Sequence, residues 1–83
     1  MLQETSALLE EVETLDIETG ETFENSFVIM RDGTQYRLGY ESYSEKYYMY
    51  NDEKHDRVNM RIDFEQKAEH TSETVDGIID EIK

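Results

Sequence analysis

The stretch SFVIMRDGTQYRLGY, residues 26–40, decides the fold of this 83-residue chain. Asp32-Gly33 supplies the positive φ angles of a two-residue hairpin turn. With that turn in place, Ile29 faces Tyr36 and Phe27 faces Leu38 on one side of the ribbon, as aliphatic and aromatic cross-strand pairs. Val28 and Arg37 share the other side. An antiparallel sheet is the expected centre of the molecule.

Working outward, KYYMYN (46–51) reads as a further strand rich in β-formers. In RVNMRIDFE (57–65), Val58, Met60, Ile62 and Phe64 alternate strictly with polar residues, which predicts a half-buried strand. Upstream, Ile17 to Phe23 surrounds Gly20 and predicts a short strand and turn. The two ends of the chain change period. Leu8, Leu9, Val12 and Leu15 share one side of an amphipathic helix of about three turns, with Glu10 and Glu13 opposite and Glu4 and Glu11 towards one edge. Thr5 or Ser6 is its candidate cap. At the other end, Val75, Ile78, Ile79 and Ile82 form the apolar strip of a second helix, with Thr71 or Ser72 as candidate cap. The order helix, antiparallel strands, helix predicts a single α+β domain of two layers. Both helices then cover one face of a four- to five-stranded sheet. A small curled barrel with terminal helices is the alternative.

Composition narrows the function classes. The chain holds 21 acidic and 8 basic residues, a formal net charge of −13, and no cysteine. Disulfides and thiolate metal sites are therefore excluded. Direct nucleic-acid binding is disfavoured, since it rests on Lys and Arg replacing counterions. An anionic membrane surface is disfavoured for the same reason. Glutamates stand where a signal peptide needs a basic region, and no apolar run approaches a membrane span, so a cytoplasmic protein is expected. Residues 1–30 carry eight acidic and no basic residues, 31–68 carry eight and seven, and 69–83 carry five and one. The excess belongs to the terminal segments, as −8, −1 and −4. Such one-signed surface steers a basic protein partner.

No constellation for chemistry stands out. His55 lies among Asp52, Glu53 and Asp56, without the ordered spacing of a calcium loop or a second histidine at a zinc-binding interval. His70 reads as a surface residue. Gly20, Gly33, Gly39 and Gly77 are scattered singly and form no phosphate loop. Nothing places a hydroxyl beside a base and an oxyanion hole. No enzyme, cofactor or metal is expected.

Two groups of residues remain as candidate partner contacts. Glu69, Glu73, Asp76 and Asp80 are separated by four, three and four residues, which on one helix makes a carboxylate row. At a rise of about 1.5 Å per residue, neighbouring Cα atoms would stand roughly 4.5–6 Å apart along the axis, comparable with the repeat of a phosphate backbone. A cap at Thr71 would leave Glu69 outside and shorten the row. Glu10 and Glu13 extend the acidic surface on the first helix. The second group is aromatic: six tyrosines lie between Tyr36 and Tyr50. Adjacent Tyr47 and Tyr48 point to opposite faces, so one of them leaves the helix side. Tyr43, Tyr48 and Tyr50 are the candidate anchors of a sheet interface, for an adaptor or a homodimer.

In size, acidity and α+β layout the chain resembles small phage-encoded inhibitors, including anti-CRISPR and other DNA-mimic proteins. That resemblance is one of composition, without a shared motif, and it transfers no binding residue. It implies a protein that occupies a basic, nucleic-acid-binding surface of another protein.

Overall fold

In the computed structural model, which describes residues 2–51 and 70–83, the hairpin forms as its turn chemistry dictates. Asp32 and Gly33 take φ of 52° and 80°. The flanking strands β2 (Ser26–Arg31) and β3 (Thr34–Glu41) pair antiparallel with Phe27 opposite Leu38 and Ile29 opposite Tyr36. β1 (Glu18–Thr22) adds on one side of this hairpin. β4 (Lys46–Asn51) and β5 (His70–Ser72) add on the other. The result is one open antiparallel sheet in the order β1-β2-β3-β4-β5. The expected strand over 57–65 lies outside the described residues, as do His55 and its acidic neighbours.

Two helices, α1 (Gln3–Glu13) and α2 (Val75–Ile82), pack against one sheet face and against each other. The core joins Leu8 and Val12 of α1, Ile78, Ile79 and Ile82 of α2, and Phe27, Ile29, Leu38, Tyr47 and Met49 of the sheet. This is the α+β arrangement expected from the order of elements, with an open sheet in place of a closed barrel.

Both expected helix caps are corrected. α1 starts before Thr5, with Leu2 at its N-cap and no side-chain cap of its own. Asn25 serves that end from the β1–β2 connection: its Oδ1 accepts from the Leu2 backbone N–H (3.0 Å) and from Thr5 Oγ1 (2.9 Å). Asn25 Nδ2 donates to the Tyr40 carbonyl (3.1 Å), so one amide ties α1 to β3. α2 starts after Thr74, whose Oγ1 accepts from the Gly77 N–H at 3.2 Å. Thr71 and Ser72 belong to β5, where Tyr48 and Tyr47 are their partners.

Gly20 sits within an edge strand and not in a turn. The pairing of β1 with β2 shifts register between Thr19 and Thr22, and a Cβ at Gly20 would lie 2.8 Å from Val28 Cγ2. β1 is exposed along its whole length and carries Glu18 and Glu21. Charge and a bulge on an edge strand both discourage pairing with a further chain.

Candidate functional site

The acidic residues on the helices face outward because the apolar stripe of each helix faces in. On α1, burial of Thr5, Leu8 and Val12 leaves Glu10, Glu11 and Glu13 exposed. On α2, burial of Ile78, Ile79 and Ile82 leaves Asp76 and Asp80 exposed. The helices touch, so these carboxylates share one side of the molecule.

The four-membered helical row is not built. With α2 beginning at Val75, only Asp76 and Asp80 stand four apart on one helical face. Glu73 is exposed in the connection before Thr74, and Glu69 lies outside the described residues. The cause is local. Ser72 Oγ accepts from the Thr74 N–H (3.1 Å), and β5 draws residues 70–72 into the sheet, which delays the helix by a turn.

The tyrosines divide in a way that alternation alone does not reveal. Tyr47 faces the helices, and its ring meets Tyr40 at 4.9 Å with a 59° tilt. Tyr48 and Tyr50 do leave the helix side, yet they are buried there, Tyr50 completely. Their rings stack 5.9 Å apart. They share this second face with Val28, Ser26 and Arg37, all removed from water. The Arg37 guanidinium lies 3.9 Å from the centre of the Phe23 ring and donates to Ser26 Oγ at 2.9 Å. Burial weakens the acidity of the Tyr48 hydroxyl, with Arg37 and Ser26 opposing. Tyr48 and Tyr50 are therefore packing residues, and their assignment as exposed sheet anchors is corrected.

Tyr43 is the opposite case, 98% exposed at the tip of the β3–β4 turn. The turn beneath it is held by a residue that no motif marks. Glu41 accepts from the N–H groups of Tyr43 (3.0 Å) and Ser44 (2.7 Å) and from Ser44 Oγ (2.8 Å). Desolvation pushes the Glu41 carboxyl up, but these three donors outweigh it and hold the group below its ordinary value. At the base of the turn, the Tyr40 hydroxyl is made less acidic, first by desolvation and then by the carboxylates of Glu4, Glu45 and Glu41. Glu4 acts on Tyr47 in the same direction. Those side chains therefore converge on one end of the sheet.

Among the described residues, no group of three or more acidic, histidine or cysteine side chains is gathered to hold a metal ion. No described helix is long and apolar enough to cross a membrane. Comparison with protein-family models, with curated proteins and with solved structures found no match.

Proposed function

We propose that this chain is a non-enzymatic, acidic protein-binding inhibitor that occupies a basic surface of a partner, of the kind that binds nucleic acid. The observation that supports it is the sign of the exposed surface. Glu10, Glu11 and Glu13 on α1, Glu18, Glu21 and Glu24 on and after β1, and Asp76 and Asp80 on α2 are all exposed. No basic residue occurs in the first 30 positions to offset them. A field of one sign accelerates encounter with lysine- and arginine-rich surfaces and repels polyanions. Inhibition follows from competition, because the same cations cannot serve a phosphate backbone while paired with these carboxylates. Since the regular helical row does not form, the mechanism rests on a broad acidic face and not on copying phosphate spacing.

The test is capture by the immobilised full chain from a cell lysate, at low and at high salt, followed by reconstitution with the purified captured protein. The expected result is a basic, nucleic-acid-binding protein whose DNA or RNA affinity falls when this chain is added. Joint replacement Glu10→Gln, Glu13→Gln, Asp76→Asn and Asp80→Asn should slow association and flatten its salt dependence. Recovery only of proteins without a basic surface, or binding that salt does not weaken, would defeat the reading.

A further inference from the structure

Tyr43 is a side chain that the fold does not use. Its ring is 98% exposed, while the turn is held through its backbone N–H, which any residue but proline would supply. The only other exposed large apolar residue among those described is Leu2, and the two lie at the same end of the sheet. Leu2 N–H and the Tyr40 carbonyl are both bound by Asn25, which places the start of α1 beside the β3–β4 turn. A tyrosine kept wet on a turn that is already ordered is an aromatic contact presented at low entropic cost.

The charge at this end selects the partner. Antiparallel pairing brings together the start of α1, the β1–β2 connection, the β3–β4 turn and the approach to α2. They contribute Glu4, Glu24, Glu45, Glu73 and Asp76, against Lys46 as the one lysine or arginine that these segments hold among the described residues. Glu41 is committed to holding the turn. An incoming cation that both pairs with carboxylates and lies flat on a phenol ring is a guanidinium, whose planar fork does what an ammonium cannot. The chain already uses this contact internally, where Arg37 stacks on Phe23 at 3.9 Å.

We propose that the β3–β4 turn end is the docking point for an arginine-bearing segment of a partner protein, with the Tyr43 ring stacked on a guanidinium and the neighbouring carboxylates pairing with it. This rests on the acidic-inhibitor reading and specifies where on the surface, and by which cation, contact is made.

The experiment is titration of the isotope-labelled full chain with a capped nonamer of arginine and, separately, of lysine, read by amide and tyrosine-ring NMR shifts. The arginine peptide should move Tyr43, Ser44 and Glu45 first. It should bind about threefold to fivefold more tightly than the lysine peptide, the size of one exposed ring–cation contact. Tyr43→Ser should abolish that preference while leaving the lysine peptide's affinity and the melting temperature unchanged. Tyr43→Phe should keep the preference. Equal affinities for the two peptides, or shifts spread evenly over the helices and β1, would overturn the docking point while leaving the acidic reading intact. No binding of either peptide at low salt would overturn both.

Discussion

Gly77→Ala sets helix propensity against packing, and the structure decides the sign. Alanine inside a helix is favoured over glycine by about 1 kcal/mol, so on propensity alone the change should stabilise α2. A Cβ at this position, however, would overlap Ser72 Oγ and lie 2.7 Å from Ser72 Cβ. Rotating the serine hydroxyl away relieves the first clash but not the second, because Ser72 Cβ is fixed by the backbone of β5. Carbon atoms pack at about 3.5–4.0 Å, so α2 and β5 must separate by roughly 1 Å. Rotation also gives up the bond from the Thr74 N–H to Ser72 Oγ, next to the cap that starts the helix. Overpacking of this kind costs about 1–3 kcal/mol, and the exposed hydrogen bond about 0.5–1.5 kcal/mol more. After the propensity gain, a net loss of about 0.5–3.5 kcal/mol remains, about 2 kcal/mol at the midpoint. In a domain this small the midpoint lowers the melting temperature by roughly 8–16 °C. Thermal and urea unfolding followed by circular dichroism measure it. A double-mutant cycle with Ser72→Gly should show favourable coupling, since removing the serine side chain removes what the alanine strikes. A melting temperature equal to or above that of the parent would refute the reasoning.

Three further outcomes follow from named contacts. Asn25→Ala strands the hydroxyl of fully buried Thr5 and should cost about 1–3 kcal/mol; adding Thr5→Val should recover part of it, because both partners are then apolar. Glu41 has a folded-state pKa below its ordinary value of 4.5, so it contributes stability above that pH and loses it as pH falls through the folded value. The stability difference between parent and Glu41→Gln should therefore be largest near neutrality and vanish in strong acid, as read by urea unfolding across pH. Arg31 Nη1 donates to the Glu81 carbonyl at 3.0 Å, while His70 Nδ1 lies 3.3 Å from Glu81 Oε2. Arg31→Ala should thus raise amide hydrogen exchange in the last turn of α2 with a global loss below about 1 kcal/mol, because the contact is exposed.

What was legible in the sequence, and what was not, follows from where the information sits. The β2–β3 register could be read because an Asp-Gly turn of two residues leaves the flanking strands one pairing that keeps Phe27 and Ile29 with Tyr36 and Leu38. The helices were legible through their apolar spacing. Their starting points were not, since each is set by a group distant in sequence or shared with a strand: Asn25 for α1, and Ser72 in β5 for α2. That single uncertainty was enough to turn Asp76 and Asp80 into part of a longer row. Three residues, His70–Ser72, carry no strand signal of their own and become one by pairing with the free edge of β4. Alternation likewise sends Tyr48 and Tyr50 away from the helices without saying whether that face meets water, whereas Tyr43 escapes burial because it interrupts the alternation at a turn.

These distinctions separate two roles that the composition merges. Charge spread over α1, β1 and α2 has no fixed spacing and acts at the range of a Debye length, so under the proposed function it would govern how fast a basic partner arrives. Residence depends instead on contacts made once water is excluded, and those require a rigid, apolar group. Tyr48 and Tyr50 cannot supply it from inside the sheet. Tyr43 can, held by a carboxylate that the same acidic composition provides. Neutralising the helix surface and removing the Tyr43 ring should therefore act on different rate constants: the first on association and its salt dependence, the second on dissociation. Stopped-flow mixing with the nine-arginine peptide separates them, and a Tyr43→Ser variant that slowed association while leaving dissociation unchanged would refute this division, because the substitution leaves the charge as it was.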